Sequence, residues 1–327
     1  MTRSVPQLLS LAAIVAGVAL FAYTLYHIDL AEIAASAGRL GLALPLILLP
    51  STAWQLLRTW GWAVAFPADT RPSFTRLFRV RLAADAISFF TVRGVVGEPL
   101  KLVLLYDRTP PEVTTAAVAL ERLAFAVGGV GVAGLISAFA VTRLSLSLAW
   151  ETVFRLLAIG AILAIVTLVL VVRHRGDYLG RLVGWLERTT GRHLAASRAI
   201  KFALSVEDVL LALLRGDRRR LVVLTVLPIV CYMLMTLEVW LAFWAIGEPV
   251  SITESLAVET FSRLVSVASA AIPGGLGAME AASTGVSNGL GLAGGAALAL
   301  VRRFRSLLWA GLGLALYPRV RATPGTR

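Results

Sequence analysis

Residues 221–246, LVVLTVLPIVCYMLMTLEVWLAFWAI, decide the fold class of this chain. Glu238 is the one charged side chain in this run of 26 residues. A transmembrane helix needs about 20 consecutive, mostly apolar residues to cross the hydrocarbon core of a bilayer. The run therefore predicts a membrane-spanning helix, and similar runs recur along the whole sequence.

The composition of the chain leads to the same class. Of its 327 residues, 58% are hydrophobic and 15% are charged, and the mean hydropathy is +0.81. Soluble domains are about 45–50% apolar and about 25% charged, so a water-soluble fold could not bury this much apolar surface. We predict an all-α integral membrane protein in which residues 1–327 form a single membrane domain.

Apolar runs predict about six full transmembrane helices. The first run is longer than the apolar centre of a signal peptide, which has about 7–15 residues, so we expect it to remain as an anchor. The predicted spans cover residues 8–26, 41–65, 114–141, 153–172, 221–246 and 296–317.

Two further apolar stretches, 74–106 and 254–293, are interrupted by charged residues and by glycine-rich breaks. Neither is a clean span, and each has the pattern of two half-helices that meet at a break. Irregular backbone at membrane depth is tolerated only where protein or water satisfies its polar groups. We therefore predict two re-entrant helical hairpins.

The distribution of positive charge sets the orientation. The net charge is +12, and the basic residues concentrate in segments 66–113 and 173–220 and in the C-terminal tail. The positive-inside rule then places both termini on the cytoplasmic side. We expect a multi-pass protein of a bacterial-type cytoplasmic (inner) membrane. Because the cations alternate with apolar spans, we do not expect nucleic-acid binding.

Segment 173–220 is predicted to be cytoplasmic and to form two amphipathic helices. In the second, Phe202, Val206 and Val209 share an apolar stripe, whereas Lys201 and Asp208 lie on the polar side. Basic interfacial helices bind anionic leaflets, so we expect this segment to contact the anionic membrane surface.

An internal repeat relates the two halves. A shift of 180 residues places Gly94-Val95-Val96-Gly97 on Gly274-Gly275-Leu276-Gly277 and, without a gap, Arg122 on Arg302. Three full crossings per half would invert the second copy. Inverted-topology repeats with interrupted helices in matching positions are characteristic of transporters, whose binding sites lie near the bilayer midplane. We predict repeats over about 1–141 and 150–318.

The first break carries Arg93-Gly94-Val95-Val96-Gly97-Glu98-Pro99-Leu100-Lys101. Gly94 and Gly97 permit sharp backbone geometry, and the proline suits the first turn of a new helix. A helix N-terminus favours an anion, Arg93 and Lys101 add cations for a phosphate, and Glu98 either pairs with them or binds a substrate amine. The alternative is a structural turn at the membrane surface with solvated charges.

The second break carries Ile272-Pro273-Gly274-Gly275-Leu276-Gly277-Ala278-Met279-Glu280. Its proline and glycines end one helix, and a second helix begins near Ala278 with Glu280 just inside it. Its place opposite the first break favours a binding site. The alternative is that Glu280 only complements its helix N-terminus, worth about 0.3–1 kcal/mol. The candidate substrate-binding residues here are Pro273, Gly274, Gly275, Gly277 and Glu280.

Glu121 and Arg122 lie inside an apolar span, and Arg302 lies at a nearly equivalent place in the last span. Consecutive residues on a helix face different directions, so Glu121 and Arg122 each need a partner on another element. Arg122 and Arg302 either point inward, where they could hold the hairpin carboxylates, or snorkel to the interface.

Other charges in apolar spans are open to simpler explanations. We expect Arg303 and Arg305 to snorkel. Arg58 lies close to two tryptophans, which is typical of an interfacial anchoring belt, and an inward cation is the alternative. Glu259 and Arg263 are four residues apart and are expected to neutralise each other on one helix.

Signatures of soluble enzymes do not occur in the sequence. It has one cysteine, Cys231, three scattered histidines, and no nucleotide-binding loop, Ser-His-Asp constellation or zinc motif. We therefore expect no catalytic residues, no metal and no cofactor, and we predict that the chain is not an enzyme.

The two glycine-rich breaks resemble those of the lysylphosphatidylglycerol synthase membrane domain family, also called the flippase-like domain family. The first is similar to the family's Pro/Gly-Gly-Gly-acidic-x-x-basic segment, and Glu121-Arg122 is similar to its acidic-Arg pair. Pro273 to Glu280 resembles its Pro-Gly-Gly-x-Gly-x-x-Glu motif, which precedes an Arg-bearing last span, here at Arg302. The resemblance covers essentially the whole chain.

This resemblance implies a lipid flippase or another lipid-handling membrane protein. It implies substrates such as aminoacylated phospholipids, polyprenyl-linked sugars or hopanoid-type lipids. Multidomain members carry a soluble aminoacyl-transfer domain after the membrane part, whereas this sequence ends at Arg327, soon after its last predicted span. Lipid aminoacylation by this chain is therefore not expected.

We predict lipid translocation or lipid handling, with a polar cavity in the membrane that takes an anionic or zwitterionic headgroup. The partners expected are a membrane lipid and the anionic leaflet, and a homo-oligomer is compatible with the sequence. A membrane enzyme or enzyme subunit acting on a lipid-linked substrate is one alternative, and a small-solute transporter is another. The predicted substrate-binding residues are Arg93, Gly94, Gly97, Glu98, Lys101, Glu121, Arg122, Pro273, Gly274, Gly275, Gly277, Glu280 and Arg302.

Overall fold

The computed structural model describes residues 15, 41, 43–91, 96–144, 146–173, 181, 183, 185, 187–189, 198–216, 218–269 and 278–318. Within these residues the chain forms ten α-helices and no strand. The helices are α1 Ala43–Ala65, α2 Phe74–Phe90, α3 Gly97–Leu105, α4 Pro111–Arg143, α5 Leu148–Arg173, α6 Arg198–Gly216, α7 Arg218–Ala245, α8 Ile252–Ala268, α9 Ala278–Gly289 and α10 Gly295–Ala315.

Local signals in the sequence place several helix ends. Pro111 is the first residue of α4, where a missing backbone N–H costs nothing. Ser251 and Glu254 form a capping box at α8: the Ser251 hydroxyl accepts from the Glu254 amide, and the Glu254 carboxylate accepts from the Ser251 amide at 2.7 Å. Glu248 accepts hydrogen bonds from two backbone amides at the start of α10, where a carboxylate is favourable.

Three helices in the described part of the chain are long and apolar enough to cross a membrane: Pro111–Arg143, Leu148–Val166 and Arg218–Ala245. They overlap the predicted spans 114–141, 153–172 and 221–246. The predicted spans 41–65 and 296–317 coincide with α1 and α10, helices of 23 and 21 residues that carry more polar side chains. The predicted span 8–26 lies outside the described residues apart from Val15, so six full spans stay a prediction.

Two pairs of short helices occupy the interrupted stretches. α2 and α3 cover the first stretch and α8 and α9 the second, and α3 and α9 have only 9 and 12 residues. A helix of that length is too short to cross the hydrocarbon core, which needs about 20 residues. Within each pair the two helices pack against each other. At Gly97 this contact is close, because a Cβ would meet the Ala84 carbonyl oxygen at 2.7 Å.

The helices pack around the contact between α1 and α7. On one side, α2, α3, α4 and α10 enclose an apolar cluster whose largest buried members include Trp62, Phe66 and Leu104. On the other side, α7, α8, α9 and α10 enclose a second cluster that includes Phe243 and Leu298. The core is therefore divided between the two halves of the chain, with α10 contributing to both clusters.

The outer surface of the bundle is apolar where α4 and α5 face outward. Leu135, Leu156, Ile162 and Leu163 are each more than half exposed. A soluble protein rarely exposes a contiguous apolar surface of this kind, whereas lipid tails cover it without cost. α6 packs on α4 with Val206 half-buried, as an amphipathic helix requires.

The contact between α2 and α10 depends on Gly313. A Cβ at this position would collide with the Leu82 carbonyl oxygen and would lie 2.8 Å from the Ala86 Cβ. We expect Gly313→Ala to force the helices apart and to destabilise the fold by about 1–3 kcal/mol, the usual cost of overpacking. The measurement is the thermal unfolding midpoint of the purified protein in detergent.

Gly129→Ala is the matched control, because a Cβ at Gly129 would meet no atom within 4 Å. Alanine has the higher helix propensity by about 1 kcal/mol, so this midpoint should stay constant or rise. Equal losses in both variants would show that helix packing at Gly313 is not the cause.

Candidate functional site

A cavity of about 560 Å³ opens between α1, α2, α8 and α10. Its volume lies within the range of about 300–1,000 Å³ that is usual for small-ligand sites. Single residues of other helices complete its wall, among them Arg122 of α4 and Met279 of α9. The cavity therefore lies where the two halves of the chain meet.

The wall of this cavity is rich in arginine. Among the described residues, five arginines and two carboxylates line it, together with serines and with the aromatic rings of Trp54, Phe89 and Trp309. Ionisable side chains inside an apolar helical bundle are costly and mark functional positions unless they only pair with one another. The charged lining residues are Arg58, Arg122, Arg263, Arg302, Arg305, Asp85 and Glu259.

Arg58 is held inside the bundle by Glu121. Its Nε donates to the Glu121 carboxylate at 2.8 Å, and the Glu121 side chain is 3% exposed. The guanidinium also lies 4.1 Å from the ring centroid of Phe125 and 5.3 Å from that of Trp54. The anchoring-belt interpretation of Arg58 is therefore wrong: the helix points this cation inward, where Glu121 compensates its charge.

Glu98 binds two cations in the structure. Its carboxylate accepts from Lys101 at 3.1 Å, one turn along α3, and also pairs with Arg122 of α4. Glu121 and Arg122 thus have partners on different helices, as their consecutive positions require. Arg122 lines the cavity and its side chain is 48% exposed.

Asp85 and Arg81 form a pair on α2 at 3.4 Å. Arg81 is nearly fully buried, donates to the Gln55 carbonyl oxygen at 3.3 Å, and lies 5.1 Å from the Trp54 ring centroid. Asp85 is more accessible, with a side chain that is 36% exposed on the cavity wall. The indole of Trp54 therefore lies next to one cation of α1 and one of α2.

Glu259 of α8 also binds two cations. It accepts from Arg263, four residues along the same helix, at 2.7 Å and from Arg302 of α10 at 2.8 Å. Arg302 is fully engaged, because it also donates to the hydroxyls of Ser262 at 2.6 Å and Ser283 at 3.2 Å. The predicted pairing of Glu259 with Arg263 is confirmed, and Arg302 points inward.

Arg303 and Arg305 do not snorkel. Arg303 pairs with Glu280 at the start of α9, and Arg305 pairs with Glu238 of α7, whose side chain is 1% exposed. The snorkelling expectation is wrong because the partner carboxylates lie on other helices, at sequence distances where a local pattern gives no signal. Glu280 thus has a counter-ion besides its own helix N-terminus.

The predicted site residues divide into four groups. Arg122 and Arg302 line the cavity, whereas Glu98, Lys101, Glu121 and Glu280 form part of the ion pairs of the bundle. Gly97 is the first residue of α3 and packs closely on α2. Arg93, Gly94, Pro273, Gly274, Gly275 and Gly277 lie outside the described residues.

Gln55 is a cavity residue that sequence reasoning missed. It is 5% exposed, and its Oε1 atom is buried without a hydrogen-bond partner among the described residues. A buried amide oxygen that lacks a donor is costly, and here it lies on the wall of a polar cavity. In the sequence, a glutamine in the middle of an apolar span is the feature that indicates a functional position here.

A family profile described as the lysylphosphatidylglycerol synthase TM region matches residues 7–315 of the chain. The match includes every helix of the bundle and every residue of the cavity wall. No curated protein matches the chain, and no solved structure matches it.

The pair Arg58–Glu121 yields a stability prediction. Glu121→Gln leaves a buried arginine without a counter-ion, which costs about 3–5 kcal/mol in known cases, and we expect a large fall in the thermal unfolding midpoint. The double variant Arg58→Met/Glu121→Met removes both charges and should recover most of the loss.

The control is Glu151→Gln on α5, where the paired Arg155 is 64% exposed. Exposed pairs contribute about 0–1 kcal/mol, so this midpoint should change little. If Glu121→Gln behaves like Glu151→Gln, the pair Arg58–Glu121 does not stabilise the bundle.

Proposed function

The chain belongs to the lysylphosphatidylglycerol synthase TM region family, and we propose that this multi-pass membrane protein translocates a lipid across the bilayer. Membership of this family supports a role related to membrane lipids. In the proposal, the headgroup occupies the arginine-lined cavity while the acyl chains stay in the surrounding hydrocarbon.

The observation that carries this proposal is the contrast between the cavity and the outer surface. The cavity wall holds five arginines, several serines and Gln55, whose Oε1 atom has no hydrogen-bond partner among the described residues, whereas the outer faces of α4 and α5 are apolar. A phospholipid has the same division, with a charged headgroup and hydrocarbon tails. The match of polar interior to headgroup and apolar exterior to tails favours a lipid over a wholly polar solute.

The depth of the cavity residues along their helices favours translocation. Gln55 is close to the middle of α1, and Ser306 is close to the middle of α10. At about 1.5 Å per residue, each lies roughly 13–18 Å from its helix ends. A headgroup held there is near the bilayer midplane, which is the position required of an intermediate between the leaflets.

We further propose that α1–α4 and α7–α10 are inverted-topology repeats. Each set contains a long helix, a 17-residue helix, a short helix and a second long helix, in this order. The packing agrees with the proposal, since α1 contacts α2 and α4 as α7 contacts α8 and α10. In addition, α2 packs on α10 as α8 packs on α4. The short helices α3 and α9 are then the returning arms of re-entrant hairpins.

The ion pairs support the repeat through their positions. Arg81 and Asp85 on α2 correspond to Glu259 and Arg263 on α8, four residues apart in both helices. The order of charge is reversed between these two pairs. Two opposite charges attract each other equally when they exchange positions, so the two halves need to share only the geometry of the ion pair.

The pairs between long helices show the same reversal. Arg58 of α1 pairs with Glu121 of α4, and Glu238 of α7 pairs with Arg305 of α10. The cation is on the first long helix in one half and on the second long helix in the other. In both halves a hairpin glutamate, Glu98 or Glu280, pairs with an arginine of the last helix.

The proposal places both termini in the cytoplasm and the protein in a bacterial-type inner membrane. Two related halves around one cavity are suited to alternating access, in which one half rocks against the other. Without a nucleotide-binding motif in the sequence, transport is proposed to follow a gradient or to equilibrate the leaflets.

The test is lipid translocation in sealed proteoliposomes, measured as protection of a headgroup-labelled phospholipid from a membrane-impermeant quencher. With wild-type protein, the labelled lipid of the inner leaflet should reach the quencher, and Ser266→Trp should slow this strongly because the indole fills the cavity that Ser266 lines. Thr152→Trp, on the exposed surface of α5, is the control and should behave as wild type.

Other outcomes would contradict the proposal. Equal rates for both tryptophan variants would exclude the cavity as the path. Product formation from a lipid-linked substrate in detergent would favour an enzyme, and uptake of a water-soluble solute without lipid exchange would favour a solute transporter.

A further inference from the structure

The ion pairs around the cavity are not electrically balanced. In the first half, among the described residues, four cations pair with three carboxylates: Arg58 with Glu121, Arg81 with Asp85, and both Lys101 and Arg122 with Glu98. If all ionise, this half has one positive charge in excess.

The second half repeats this imbalance. Among the residues the structure describes there, four arginines pair with three glutamates: Arg305 with Glu238, Arg303 with Glu280, and both Arg263 and Arg302 with Glu259. The excess is again one positive charge. The remaining ion pairs, at the start of α2, after α3 and in the first turns of α5, lie at helix ends and do not line the cavity.

The excess can be assigned to particular side chains. In each half one glutamate is shared by two cations, and one cation of the two is deeply buried: Lys101 at Glu98 and Arg302 at Glu259. The other cation lines the cavity and is accessible, with Arg122 48% and Arg263 35% exposed. Each half therefore presents one incompletely compensated guanidinium to the same cavity.

Two incompletely compensated cations in an apolar bundle are costly. Their cost falls if a ligand brings two negative charges to the same place, because guanidinium groups bind phosphate oxygens through strong, charge-assisted hydrogen bonds. We infer that the cavity selects a headgroup with two net negative charges, a phosphomonoester or diphosphate lipid, with Arg122 and Arg263 as its specificity-determining residues. This inference rests on the proposed function.

Lipid classes differ in the net headgroup charge that they would bring to this cavity. A phosphodiester such as phosphatidylglycerol brings one negative charge, which compensates only one of the two guanidinium groups. An aminoacylated diester such as lysyl-phosphatidylglycerol has two amines against one phosphate, so its net positive charge is repelled by the excess of the cavity. A phosphomonoester brings close to two negative charges at neutral pH, because its second pKa is about 6.

The experiment is competition between lipids of identical acyl chains for the full-length protein in detergent, measured by native mass spectrometry. Phosphatidic acid is the phosphomonoester probe, and phosphatidylglycerol and lysyl-phosphatidylglycerol are the competitors. At about pH 8 we expect one phosphatidic acid per protein and a preference of roughly tenfold or more over phosphatidylglycerol. At about pH 5, below the second pKa of the phosphomonoester, wild-type protein should lose most of this preference.

Arg122→Gln and Arg263→Gln should each lower the preference at pH 8 to about twofold or less, because each removes one excess charge. Both variants are expected to fold, since Glu98 keeps Lys101 and Glu259 keeps Arg302. Arg155→Gln, which removes an exposed cation away from the cavity, is the matched control and should keep the wild-type preference.

Several results would overturn the inference. These are equal binding of phosphatidic acid and phosphatidylglycerol at pH 8, two phosphatidylglycerol molecules per protein, or a preference that survives at pH 5. Displacement of phosphatidic acid by millimolar inorganic phosphate would assign the site to a free anion instead of a lipid headgroup.

The cavity-filling variant Ser266→Trp distinguishes a failure of the dianion inference from a failure of the proposed function. If it abolishes binding of both lipids but wild-type protein binds them equally, the dianion inference fails and the proposed function stands. If it leaves binding of both lipids unchanged, the cavity is not the lipid site and the proposed function fails as well.

Discussion

The constraint on which this structure depends is the compensation of arginine inside an apolar bundle. Seven arginines project from the helices toward one region, and each has a carboxylate partner there. Leaving one such cation unpaired costs several kcal/mol, so the pairs fix which helices are neighbours. Arg58–Glu121 connects α1 to α4, and Arg305–Glu238 connects α10 to α7. Apolar side chains fill the space around these contacts, and close approaches such as that of Gly313 to α2 fix the packing further.

The same constraint connects the fold to the proposed function. A bundle in which every cation were neutralised would offer no charge to a headgroup, whereas this bundle shares one glutamate between two cations in each half. The accessible members of the shared sets, Arg122 and Arg263, meet at one cavity. Among the residues that the structure describes, the buried Oε1 atom of Gln55 on the cavity wall has no hydrogen-bond donor, which is costly. Fold stability and the proposed selection of a lipid headgroup therefore depend on one set of side chains.

Part of this architecture follows from the sequence. The apolar runs locate the long helices, the consecutive positions of Glu121 and Arg122 require partners on two different elements, and the four-residue spacing of Glu259 and Arg263 gives their pair. The partners of Arg58 and Arg305 could not be predicted, because they lie 63 and 67 residues away. In an apolar helix the side chains on every face are similar, so the pattern does not show which face points inward. For that reason the sequence does not show that the Arg58 side chain points into the bundle, nor that Gln55 faces the cavity.

The central claim is that a lipid headgroup occupies the cavity between the two halves. The most direct measurement is photo-crosslinking with a phospholipid that carries a diazirine in its headgroup, followed by peptide mapping of the full-length protein. The cavity site predicts labels in residues 51–58 of α1 and 262–267 of α8, and their loss when the same lipid without the diazirine is added in excess. Labels confined to the outward faces of α4 and α5, and unchanged by that competitor, would contradict it.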